Sequence, residues 1–112
     1  MNRMLNEEKK LSDLVNAVCN IYGDNLISVI LYGSVARNEA TEDSDVDIAL
    51  LVSKDDEVMH KRMLDILVDF DLEYDKMISP SLIEKEQFDK WKTVLPYYKN
   101  IEKEGIVLWT AA

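Results

Sequence analysis

A single cysteine and a single histidine leave this chain little scope for disulfide or zinc chemistry. Cys19 has no second cysteine to pair with, so an internal disulfide is excluded, and a lone thiol suits a reducing cytoplasm. Cys19 and His60 together cannot build a four-ligand zinc site. No apolar run approaches the roughly 20 residues needed to cross a bilayer. The opening MNRMLNEEKK has no apolar segment of the kind that directs export, so no signal peptide is expected. The expectation is a cytoplasmic protein without membrane contact. Basic charge is scarce as well: 13 Lys and Arg stand against 22 Asp and Glu, a net charge of −9. That balance opposes nonspecific binding to a nucleic-acid backbone. It leaves room for a phosphate substrate, because bound divalent cations can reverse the local sign. With no repeat, linker or low-complexity tract, the 112 residues suit one domain, 1–112, around one core.

Apolar periodicity supplies the elements. Leu11, Leu14, Val15, Val18, Cys19 and Tyr22 recur at helical spacing, predicting an amphipathic helix over about 2–22 that ends at Gly23-Asp24-Asn25. Cys19 on its apolar face is expected to be a buried, inert thiol. Leu26 to Tyr32 reads as a buried strand and Asp45 to Ser53 as a second. The polar stretch between them, 33–44, reads as a loop with a short helix near Ser34. Asp55 and Asp56 suit the start of a helix whose Met59, Met63, Ile66, Leu67 and Phe70 share one face. His60 on that helix is expected to be exposed. A third strand is expected over 74–79, stopped by Pro80. Helices follow over 84–91 and from Pro96 to about Glu104, and a short last strand over 106–109. Alternating helices and strands predict an α/β (α+β) fold, a small sheet covered by helices. Trp91, Tyr97, Tyr98 and Trp109 read as packing and interface residues rather than a base-stacking platform.

The chemistry concentrates in LYGSVARNEATEDSDVDIALLV, residues 31–52. Residues two apart on a strand face the same side, so Asp45 and Asp47 project together, Cα atoms roughly 6.5 Å apart. Val46, Ile48, Leu50 and Val52 take the opposite face, into the core. Ala49 and Leu51 continue the aspartate face, which is expected to become covered farther along. Two adjacent carboxylates repel unless a cation lies between them. Oxygen ligands favour Mg²⁺ or Mn²⁺, and a pair of such ions about 3.5–4 Å apart serves phosphoryl and nucleotidyl displacement. Gly33 lets backbone approach a bulky anion, and Ser34 can cap a helical turn or bond a phosphate oxygen. Arg37 can hold a phosphate with its planar fork, or pair with Glu39 or Glu42 at the surface. Ser44 can contribute to nucleotide binding or merely cap the turn ahead of Asp45. A phosphate grip beside a metal grip implies a nucleoside triphosphate.

Gly33-Ser34, ten intervening residues, then Asp45-Val46-Asp47 resembles the signature of the DNA polymerase β-type nucleotidyltransferase superfamily. The fuller strings Gly33-Ser34-Val35-Ala36-Arg37 and Ser44-Asp45-Val46-Asp47 are similar to its small members, the minimal nucleotidyltransferases. The resemblance extends to Ile101-Glu102-Lys103-Glu104-Gly105-Ile106 before Leu108-Trp109, and so covers essentially the whole chain. It implies a third carboxylate that binds metal and positions the attacking hydroxyl. Asp69, Asp71 and Asp75 are the candidates, and Asp75, opening the expected third strand, best suits the position. The implied reaction is Mg²⁺-dependent transfer of a nucleoside monophosphate, AMP from ATP, to an acceptor hydroxyl with release of pyrophosphate. Asp45, Asp47 and Asp75 would be catalytic and metal-binding; Gly33, Ser34, Arg37 and Ser44 would contact the nucleotide. Minimal nucleotidyltransferases often accompany a HEPN-domain toxin and act as its antitoxin by modifying a toxin tyrosine, so such a partner is implied here. So short a chain leaves little room for an acceptor-binding domain, which points to a large acceptor, a second protein or a homodimer completing the site. An aminoglycoside-type small-molecule adenylyltransferase and a non-catalytic antitoxin acting by binding are the alternatives.

Overall fold

The computed structural model describes residues 2–33, 45–74 and 78–111. Among them the chain runs α1 (Asn2–Tyr22), a 3₁₀ turn (Gly23–Asn25), β1 (Leu26–Tyr32), β2 (Val46–Val52), α2 (Glu57–Tyr74), β3 (Ile78–Glu84), α3 (Lys85–Trp91), α4 (Pro96–Glu104) and β4 (Ile106–Thr110). Gly23 turns the chain out of α1 with φ +53, where a side chain is disfavoured. Asp56 caps α2: its carboxylate accepts a hydrogen bond from the Met59 amide at 2.8 Å. Pro96 opens α4, a position where its missing N–H costs nothing.

The four strands form one mixed sheet in the order β3-β2-β1-β4. β1 is antiparallel to both β2 and β4, whereas β2 and β3 are parallel. β2 is thus a central strand, and its alternation divides the molecule. Val46, Ile48, Leu50 and Val52 turn to one face with at most 6% exposure, packed with Leu14 and Val18 of α1 and Met63 and Leu67 of α2. On the other face Ala49 joins Ile83, Phe88, Tyr98 and Ile101 in a smaller cluster, with Ile30, Tyr32 and Leu51 against it. This is the cover expected for Ala49 and Leu51, and it comes from α3 and α4.

The third strand departs from expectation. Tyr74 closes α2 instead of opening a strand, and β3 runs Ile78–Glu84 straight through Pro80. Proline is tolerated there because β3 is an edge strand, so its lost N–H breaks no second ladder. Cys19 is half-buried rather than buried, lying against the main cluster, and burial pushes its thiol pKa up. His60 is also half-buried, its Nδ1 3.3 Å from Asp55 Oδ2. Among the described residues no helix is long and apolar enough to cross a membrane.

Candidate active site

β1 ends at Tyr32, paired across the sheet with Asp47, so Gly33 leaves the strand beside the start of β2. Gly33 has φ +76. A Cβ built on it would collide with Asp47 Oδ2, and would stand 3.1 Å from Asp47 Cγ. The glycine is therefore required twice over: by its left-handed backbone and by the carboxylate packed on its α-carbon.

Asp45 is exposed immediately before β2, and Asp47 is half-buried within it. The two are tied to one side of the sheet by β3, where Ser79 pairs with Asp47 in register and its hydroxyl donates to Asp45 Oδ2 at 3.2 Å. Ser79 thus orients one carboxylate while standing next to the other. Ser34, Arg37 and Ser44 lie outside the described residues, and so does Asp75. Of the strand expected over 74–79, Tyr74 belongs to α2, whereas Ile78 and Ser79 belong to β3. Asp69 and Asp71 lie on α2, and that helix sends Met63 and Leu67 into the cluster on the opposite face of β2; Asp69 is exposed there.

Sequence reasoning missed a second group on the aspartate face. Tyr32 Oη lies 2.9 Å from Ser81 Oγ and 2.7 Å from Tyr97 Oη, and Tyr97 donates to Ser81 at 2.6 Å. Ser81 pairs with Ala49, one step up the face from Asp47. The Tyr32 and Tyr97 rings meet edge to face at 5.8 Å, fixing α4 over the sheet. Tyr32's pKa is pushed up to about 12, first by burial, then by its bond with Tyr97 and the negative charge of Asp47, against a lowering by Ser81. Serines alternating in Ile78-Ser79-Pro80-Ser81 carry the signal, which a strand stop at Pro80 conceals. Of the four aromatics, Tyr98 packs against Phe88 and Trp109 against the main cluster, while Trp91 and Tyr97 are over a third exposed.

The donors here suit a hard divalent cation. They are carboxylate oxygens on one face, and the absence of a Cβ at position 33 is what gives the Asp47 carboxylate its place there. Among the described residues no group of three or more His, Cys, Asp or Glu could hold a metal, so the remaining ligands would come from elsewhere or from the substrate.

The profile described as nucleotidyltransferase domain matches residues 11–108. The chain belongs to that family. This nucleotidyltransferase is 31% identical over 105 residues to a Methanocaldococcus jannaschii protein named "Putative protein adenylyltransferase MJ0604", covering 94% of this chain and all of that one. Its fold is shared with solved structures at low identity. One belongs to a toxin-antitoxin with AMP-PNP (TM-score 0.55, 16% identity, 88% of this chain and 73% of that chain). Another belongs to a tri-AMPylated Shewanella oneidensis HEPN toxin in complex with an MNT antitoxin (TM-score 0.50, 17% identity, 96% and 72%). The enzyme class expected from Gly33-Ser34 and Asp45-Val46-Asp47 is therefore correct.

Proposed function

We propose that this nucleotidyltransferase moves AMP from ATP onto an acceptor hydroxyl, that the acceptor is a tyrosine of a HEPN-domain toxin, and that the transfer makes the chain its antitoxin. The observation that carries the reading is the Asp47 carboxylate packed against the α-carbon of Gly33, with Asp45 two residues before it held by Ser79. The full-length likeness to a relative named for protein adenylylation supports a protein acceptor. The shared fold with a chain from a HEPN toxin and MNT antitoxin complex supports the kind of partner.

Asp45 and Asp47 would hold two Mg²⁺ ions, with Mn²⁺ able to substitute, and Asp75 would complete the set. Bound there, the cations would neutralise charge on the transferring phosphate and the departing pyrophosphate. Ser79 keeps the Asp45 carboxylate turned toward the site. The Gly33 backbone, Ser34, Arg37 and Ser44 bind the β- and γ-phosphates, leaving the α-phosphorus over the aspartates. Asp75 orients the acceptor hydroxyl opposite the leaving group, so that attack at the α-phosphorus is in line.

ATP labelled at the α-phosphate, incubated with Mg²⁺, the chain and a HEPN protein encoded beside it, tests the reading. Label is expected on a tyrosine of that protein, with loss of its toxicity. Label on an added aminoglycoside alone, or tight binding to the toxin without label, would contradict it.

A further inference from the structure

The hydroxyl triangle beside the aspartates has one property that decides what it can bind. Each of the three hydroxyls has one proton and two lone pairs. Three contacts join them, with Tyr97 donating to Ser81. Closing the ring takes all three protons, Tyr97 to Ser81, Ser81 to Tyr32 and Tyr32 to Tyr97, and leaves one lone pair on each oxygen. Closed in that sense, the ring can accept a further hydrogen bond with every internal bond intact, whereas donating to a ligand would require it to open. Phosphate oxygens, which only accept, are the wrong partner for it. A group with an O–H to donate is the right one.

Its position indicates which O–H. A triphosphate gripped at Gly33 has its pyrophosphate end off the tip of β1, so the nucleoside must lie on the other side of the α-phosphorus. That direction runs up the sheet face, from Asp47 toward Ala49. Ala49 lies two residues beyond Asp47, roughly 6.5–7 Å along the strand, and Ser81 is its register partner. The span is about that from an α-phosphorus to the 2′ and 3′ hydroxyls of its own ribose. Tyr97 is 43% exposed and Tyr32 and Ser81 are half-buried, so the cluster is open to a ligand group.

We infer that the hydroxyls of Tyr32, Ser81 and Tyr97 form a ribose subsite, which accepts hydrogen bonds from the sugar hydroxyls and makes this nucleotidyltransferase select ribonucleotides over deoxyribonucleotides. The inference rests on the nucleotide-binding reading above and adds the sugar to it. A polar group left facing a missing hydroxyl loses its partner, the basis of discrimination in sites built around a hydroxyl.

Isothermal titration with the α,β-methylene analogue of ATP, compared with its 2′-deoxy and 3′-deoxy forms in Mg²⁺, tests this without an acceptor. The intact chain is expected to bind the ribose form about tenfold more tightly than at least one deoxy form, a difference of about 1.4 kcal/mol. Tyr97→Phe keeps the ring and removes the hydroxyl, and is expected to bring that ratio close to one while its melting temperature stays near that of the parent. Ser81→Ala provides the second route to the same loss should Tyr97→Phe melt early. Equal binding of ribose and deoxyribose forms by the parent chain would overturn the subsite, as would a ratio unchanged in both variants. Absence of binding by any of the three nucleotides would instead remove the nucleotide site itself.

Discussion

One strand serves two unlike surfaces. On one side of β2, Val46, Ile48, Leu50 and Val52 meet two long helices, α1 and α2, in a cluster of branched aliphatic side chains. On the other, Asp45, Asp47, Ala49 and Leu51 meet serines and tyrosines, and the cover comes from two short helices, α3 and α4. The apolar face pulls the strand into register, and that register sets where the carboxylates stand. A one-residue slip would bury both aspartates and expose the core. Under the proposed function, stability and chemistry are carried by alternate residues, and each should be removable without the other.

The largest separation is expected from the pair Asp45→Asn with Asp47→Asn. Transfer of label from ATP should fall by at least about a thousandfold, equivalent to about 4 kcal/mol in the barrier, while the circular-dichroism melting curve shifts little. The opposite change is Ile48→Ala, one residue from Asp47 but facing the helices with 1% exposure. It should cost about 2–5 kcal/mol of stability by urea titration, with the folded fraction still able to bind nucleotide.

The expected elements around these residues were mostly met, because strong one-faced periodicity and β-branched runs fix helices and strands locally. α1 and β1 keep the limits that Leu14-Val18 spacing and the run Leu26–Tyr32 suggest. β3 did not, since proline's effect depends on whether its strand is an edge, and sheet order is not written in local sequence. Of the candidate site, the closeness of Gly33 to Asp47 was legible because both belong to one strand–loop–strand unit. Ser79, Ser81 and Tyr97 were not. They reach the aspartates only through the β2–β3 register and the packing of α4, contacts between segments far apart in the chain.

Two glycines sharpen the comparison further. Both have positive φ, but Gly23 has nothing within 4 Å of an added Cβ, whereas Gly33 has Asp47. Gly23→Ala should cost only backbone strain, about 1–2 kcal/mol in chemical denaturation. Gly33→Ala should carry that strain and also displace the Asp47 carboxylate, so nucleotide binding falls in the second variant and not in the first. The smallest effect concerns pH. Tyr32 has its pKa raised from 10.0 to about 12, so its neutral form favours the folded state. That contribution is complete below the unfolded value near pH 10 and disappears as pH rises toward 12. A slight loss of stability across this window should be reduced in Tyr32→Phe, as read from urea midpoints at successive pH values.

The most direct measurement is Mn²⁺ binding followed by electron paramagnetic resonance, with α,β-methylene ATP present, in the parent chain and in the chain carrying Asp45→Asn and Asp47→Asn. The parent should bind Mn²⁺ together with the nucleotide, and the double variant should lose protein-bound metal although it remains folded. Equal Mn²⁺ binding by the two chains would show that these carboxylates do not hold the cation.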